Sequence, residues 1–190
     1  MKTIAFVLLA SLAFAADPEF TADGKRVRPK NYREWIYLSS GLGMTYADPG
    51  AAQNPNPNFD NVFVEPSAYR KFVETGRWPD KTVFVLEIRR SVSKGSINQG
   101  GRFQSEIAAV EASVKDVKRF DDEWGYFGFN GSATAASKFG PEAGCNACHS
   151  KNAAVEHTFV QFYPTLLEIA MAKGTLNKSY KPAEKASDKK

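Results

Sequence analysis

A chain of 190 residues, 43% hydrophobic and 24% charged, has enough apolar side chains for one packed domain and is not a disordered polyelectrolyte. Its net charge of +4 owes much to lysines crowded from Lys178 onward, so the basic balance reads as solvation and nucleic acid is not an expected partner. Only two cysteines are present, which excludes a scaffold stapled by several disulfides.

Met1-Lys2, the apolar run Ile4 to Leu12 and the small-x-small Ala13-Phe14-Ala15 form the pattern of a cleaved secretory signal over residues 1–15. A periplasmic protein beginning at Ala16 is expected; the alternative is an uncleaved N-terminal anchor. No later run approaches the roughly twenty apolar residues of a membrane span. A single domain is expected over 16–177, followed by a disordered basic tail over 178–190.

Trp35 to Ser39, rich in aromatic and branched residues, reads as the first strand. Gly41 to Phe59 carries three prolines and three glycines and reads as a long loop, of the length that often covers a binding site. Asn61 to Val64 reads as a second strand. Pro66 then opens a helix closed by Gly76, with Tyr69, Phe72 and Val73 on its buried stripe.

Thr82 to Arg89 is the most strand-like segment, with Phe84, Leu86 and Ile88 on one face and Val83, Val85, Glu87 and Arg89 on the other. The segment 107–117 fits a helical stripe or a strand; Gly100-Gly101 before it suggests a hairpin return and favours the strand. Trp124 to Phe129 reads as another strand, whose Gly125 and Gly128 would let a ring or a backbone come close. A final helix is expected over 165–172. The order describes an α+β fold, predominantly antiparallel sheet with a few packed helices, the motif helix lying near the C-terminus.

That motif is Cys145-Asn146-Ala147-Cys148-His149. C-x-x-C-H is the attachment pattern of c-type haem: two thiols three apart lie on one side of a helical turn, within reach of both vinyl groups, and the adjacent histidine lies under the iron. Cys145 and Cys148 are therefore the expected covalent anchors of one haem c, and His149 its iron ligand. A redox disulfide or half of a zinc site are the alternatives.

The Tyr32 to Trp35 start, Asp60 to Val64, Ala68-Tyr69, Thr75-Gly76, the Thr82-Val83 strand, Arg119-Phe120, the Trp124 to Phe129 aromatics, C-x-x-C-H and Phe159 to Pro164 together resemble the cytochrome P-460 family, which includes the cytochromes c′-beta. The resemblance spans roughly Lys30 to Ala172. It implies an antiparallel β fold, often a homodimer, with a c-type haem open on its distal side. Cytochromes P-460 oxidise hydroxylamine and carry a lysine cross-linked to the porphyrin; c′-beta members bind nitric oxide and carbon monoxide in an apolar pocket. The cross-linking lysine falls at Leu86, which has no amine, and Lys81 points to the opposite face. The departure favours the gas-binding branch.

Met44, Met171 and His157 are the candidates for a sixth ligand, each with a blander reading: loop contact, core, and a surface or hydrogen-bonding histidine. Phe84 and Leu86 are the expected apolar distal wall, although this face could equally be plain core. Glu142, three residues before Cys145, is the expected proton acceptor for an amine substrate. Arg89, Arg90, Arg102 and Arg119 are candidates for the haem propionates. Three functions follow: capture of nitric oxide or a similar diatomic, oxidation of hydroxylamine, or electron transfer to a redox partner protein.

Overall fold

The computed structural model describes residues 17–46 and 54–182. The expected signal segment 1–15 and most of the terminal tail lie outside them. A five-stranded antiparallel sheet in the order β2 (Ile36–Leu42), β3 (Phe59–Val64), β4 (Val83–Val92), β5 (Phe103–Lys115), β6 (Trp124–Phe129) forms the centre. A two-stranded pair, β1 (Arg26–Val27) with β7 (Ala135–Ala136), lies beside it. Three α-helices, α1 (Pro66–Thr75), α2 (Cys145–Asn152) and α3 (Pro164–Lys173), and three short 3-10 turns complete the described elements. The fold is the expected α+β arrangement, and 107–115 is strand, as the double glycine suggested.

The sheet's two faces do different work because strand side chains alternate. Val83, Val85, Val110, Ala112, Val114, Phe127 and Phe129 fill one core beneath the N-terminal segment, with Tyr32, Trp35 and Phe120 against them. Val64, Phe84, Trp124 and Tyr126 face the other way and pack with α1, α3 and the chain between α2 and α3. The pairing fixes this division: Leu86 stands opposite Val62 on one side and Glu111 on the other. A one-residue slip would exchange the two faces.

Local chemistry sets the helix ends. The Glu65 carboxylate accepts from the backbone N–H groups of Ser67 at 2.9 Å and Ala68 at 3.0 Å, and Pro66 occupies the first turn. Gly76, at φ 72°, closes α1. Two helical expectations are corrected. Val73 is 40% exposed, because the inner line of α1 runs through Ala68 and Phe72, four apart, and Val73 lies a further 100° round the helix. Met171 is 61% exposed for the same reason: α3 buries Leu166 and Ala170.

Gly125 and Gly128 do permit close approach, and the approaching rings are the chain's own. A Cβ at Gly125 would stand 2.6 Å from the Phe120 ring; one at Gly128 would stand 2.5 Å from that of Phe139. Leu176 and, within the expected tail, Tyr180 pack against the second core.

Candidate functional site

Between the sheet and α2 lies a cavity of about 630 Å³, well within the range of ligand and cofactor sites. One wall is sheet: Val62, Phe84, Leu86, Ile88, Glu111 and Tyr126. The other is the motif segment, Ala143 to Cys145 with Cys148 and His149, together with Phe159 and Phe162. Met44 and Tyr46, both substantially exposed, stand at its mouth.

The motif reaches the cavity through a specific local turn. Pro141–Ala143 forms a 3-10 turn, and Gly144 at φ 68° then reverses the chain into α2, a conformation that favours glycine. Cys145 and Cys148 follow on one side of the helix, both thiols free. Burial pushes the Cys145 thiol above its ordinary value.

His149 is held on three sides. Its ring sits 4.6 Å from Tyr126 and 4.3 Å from Phe159, centroid to centroid. Its Nδ1 lies 2.8 Å from the His157 carbonyl. A carbonyl only accepts, so Nδ1 carries the proton and Nε2 keeps the lone pair. Burial lowers the pKa of His149, favouring the neutral imidazole that ligates metal.

The cavity brings together much of what the sequence suggested. Cys145, Cys148, His149, Phe84 and Leu86 all line it. Phe84 also belongs to the core, edge-on to Trp78 at 4.7 Å, so this side chain lines the cavity and packs in the core at once. Ile88 extends the wall up to a register irregularity at Arg89, where the alternation of β4 is interrupted.

Several expectations are corrected. Glu142 is exposed and absent from the lining, because the 3-10 turn folds its carboxylate over Gly140. None of the four arginines lines the cavity. Arg89 pairs with Glu87, Arg90 with Glu106 at 3.4 Å, Arg119 with Asp116 at 3.6 Å, and Arg102 binds Ser91 and the 55–56 segment. Lys81 is bound to Asp116 at 2.6 Å. Met171 lies outside. His157 lines the cavity, but its carbonyl supports His149 and its ring stacks on Trp124 at 6.3 Å, which puts it on the His149 side.

Two carboxyls that sequence reasoning missed line the cavity where Glu142 does not. Asp60 on β3 and Glu111 on β5 line the cavity, and neither has a hydrogen-bond or ion-pair partner among the described residues. Burial raises the pKa of Asp60. Burial, and then the charge of Asp60, raises that of Glu111. The available signal was register: Glu111 faces the cavity because it pairs with Leu86. Tyr126 adds a buried hydroxyl with no hydrogen-bond partner among the described residues.

Among the described residues no group of three or more His, Cys, Asp or Glu could hold a metal ion. No described helix is long and apolar enough to cross a membrane. Residues 29–160 match the family model for cytochrome P460. No curated protein matches the chain.

Proposed function

Because this chain belongs to the cytochrome P460 family, and the family implies haem, we propose that it is an exported mono-haem c protein binding nitric oxide or a similar small ligand at an iron held by His149 alone. The residues fit such a group. The cavity volume suits it, His149 offers an oriented Nε2, and Cys145 and Cys148 stand on the same wall. The unpartnered Tyr126 hydroxyl is a polar atom awaiting a partner there. Haem supplies an iron that exchanges ligands and electrons.

The chain's own residues determine what reaches that iron. Val62, Leu86, Ile88 and Phe84 form an apolar stretch of the facing wall, flanked by the carboxyls of Asp60 and Glu111, and themselves offer no amine and no metal ligand. That apolar stretch is the observation that carries the reading: it suits a neutral diatomic, and Leu86 has no amine with which to bond to porphyrin. Absorption spectra of the ferrous protein before and after nitric oxide test it. A high-spin spectrum that changes on addition is expected; a low-spin spectrum indifferent to nitric oxide would defeat it. A pyridine haemochrome and the intact mass test thioether attachment and the absence of a cross-link.

Asp60 and Glu111 favour a second reading, oxidation of hydroxylamine. Unpaired carboxyls with raised pKa are suited to taking the protons an N–H substrate releases. Turnover with hydroxylamine and an artificial oxidant separates the readings. Brisk turnover lost in E111Q supports the second; its absence leaves ligand capture. Export, a homodimer and a redox partner protein belong to the same proposal. N-terminal sequencing of the mature protein tests the first, sedimentation the second and reoxidation by added cytochromes the third.

A further inference from the structure

The His157 carbonyl that accepts from His149 belongs to a tight turn, and one side chain from beyond α3 holds that turn. Val155 and Thr158 bridge across it, with Thr158 N–H donating to the Val155 carbonyl at 2.8 Å. Glu156, at φ 50°, occupies the left-handed region that a glutamate rarely adopts. Such a conformation persists only where its surroundings impose it.

Asn177 imposes it. Its Oδ1 accepts from the Glu156 N–H at 3.1 Å, and its Nδ2 donates to the carbonyls of Glu156 at 2.8 Å and Ala153 at 2.9 Å. Its own N–H donates to the Ala154 carbonyl at 2.7 Å. Both backbone groups of Glu156 are thus pinned by a single amide. Lys115 adds a tether, donating to the Glu156 carboxylate at 2.7 Å and the Trp78 carbonyl at 2.9 Å.

We infer that Asn177 is a positioning residue for the iron ligand: by fixing the 155–158 turn it sets the His149 to His157 hydrogen bond, and with it the basicity of the imidazole. The inference rests on the reading of His149 as the sole protein ligand of a bound haem. The physical link is general. A carbonyl accepting from the non-ligating nitrogen of a metal-bound histidine fixes the ring and strengthens it as a donor, and such supporting partners tune metal sites strongly. Asn177 lies beyond residues 29–160, so the match to the family model does not include it.

The experiment compares ferrous wild-type protein with N177A, N177D and T175V by resonance Raman spectroscopy and redox titration. T175V is the control for general loosening: Thr175 is buried, two residues from Asn177, and among the described residues hydrogen-bonds only to the Ala170 carbonyl in α3. N177D keeps the acceptor for the Glu156 N–H and removes both side-chain donors, and serves if N177A fails to fold. The iron–His149 stretching frequency should fall and the midpoint potential rise in N177A and N177D, with both unchanged in T175V. Unchanged frequency and potential in the Asn177 variants, or equal shifts in T175V, would overturn the inference. A wild-type protein lacking any iron–histidine band would overturn the underlying reading as well, and is told apart because it appears before any substitution.

Discussion

Exchanging either glycine of β6 for alanine should separate stability from ligand access. At Gly128 the new Cβ would lie 2.5 Å from Cζ of Phe139, whereas carbons pack at about 3.5–4.0 Å, so that ring must withdraw by about 1 Å. Phe139 lines the cavity and is 36% exposed, so it has room to swing, and the strain should stay near the low end of the ~1–3 kcal/mol typical of overpacking. At Gly125 three atoms of the Phe120 ring stand at 2.6, 2.7 and 2.9 Å, and that ring is packed against Phe20 and Phe127 on the opposite face of the sheet. No small rotation relieves that clash. G125A should therefore lose about 1–3 kcal/mol, a fall in Tm of about 2–12 °C for a domain of this size, with carbon monoxide association unchanged. G128A should melt closer to wild type and change that association by about tenfold, equivalent to ~1.4 kcal/mol in the barrier. Calorimetry and flash photolysis read the two quantities. Equal effects of both variants on ligand association, or none from G128A, would refute the assignment of the cavity to this face.

Further outcomes follow from the same geometry. K115A leaves the Glu156 carboxylate partly buried and unpaired, and should cost about 3–5 kcal/mol by chemical denaturation. C145S and C148S should each keep at most one thioether, so acid–acetone extraction should remove pigment from the double variant and not from wild type. The raised pKa values of Asp60 and Glu111 mean that the folded state binds protons more tightly than the unfolded chain. Their contribution to stability is therefore lost as pH rises from the ordinary carboxylate range through the raised values, and is flat above them. E111Q should accordingly be more stable than wild type at pH 8, the difference shrinking toward pH 4. A constant difference across that range would show that Glu111 does not titrate as described.

What the sequence revealed depended on whether the signal was local. C-x-x-C-H puts two thiols and an imidazole on one helical turn within five residues, and all three line the cavity; the alternation of Phe84, Leu86 and Ile88 needs only the pleat of one strand. Gly100-Gly101 settled the ambiguous 107–117 segment because a hairpin return requires a nearby partner. Asp60 and Glu111 were illegible for the opposite reason: they lie on strands separated by β4, and only the pairing with Ile88 and Leu86 turns both toward one space. Nearness in sequence misled at Glu142, where one short turn carries the side chain away from a cysteine three residues on. The arginines were equally misleading: Arg89 and Arg119 are engaged by carboxylates two and three residues away, Glu87 and Asp116, and Arg102 bonds across to the 55–56 segment. Asn177 gave no signal at all, its three side-chain bonds being made to backbone atoms more than twenty residues earlier.

Strand β4 is bonded on both flanks, to β3 and to β5, and the residues beside Leu86, Val85 and Glu87, are 0% and 2% exposed on the reverse side. The backbone at position 86 is consequently fixed by neighbours that take no account of what its own side chain is. Position 86 acts as an interchangeable fitting in a rigid frame: whatever group is mounted there is delivered to the same point. A replacement there would present its side chain to the cavity while the pairing on both flanks stays in place.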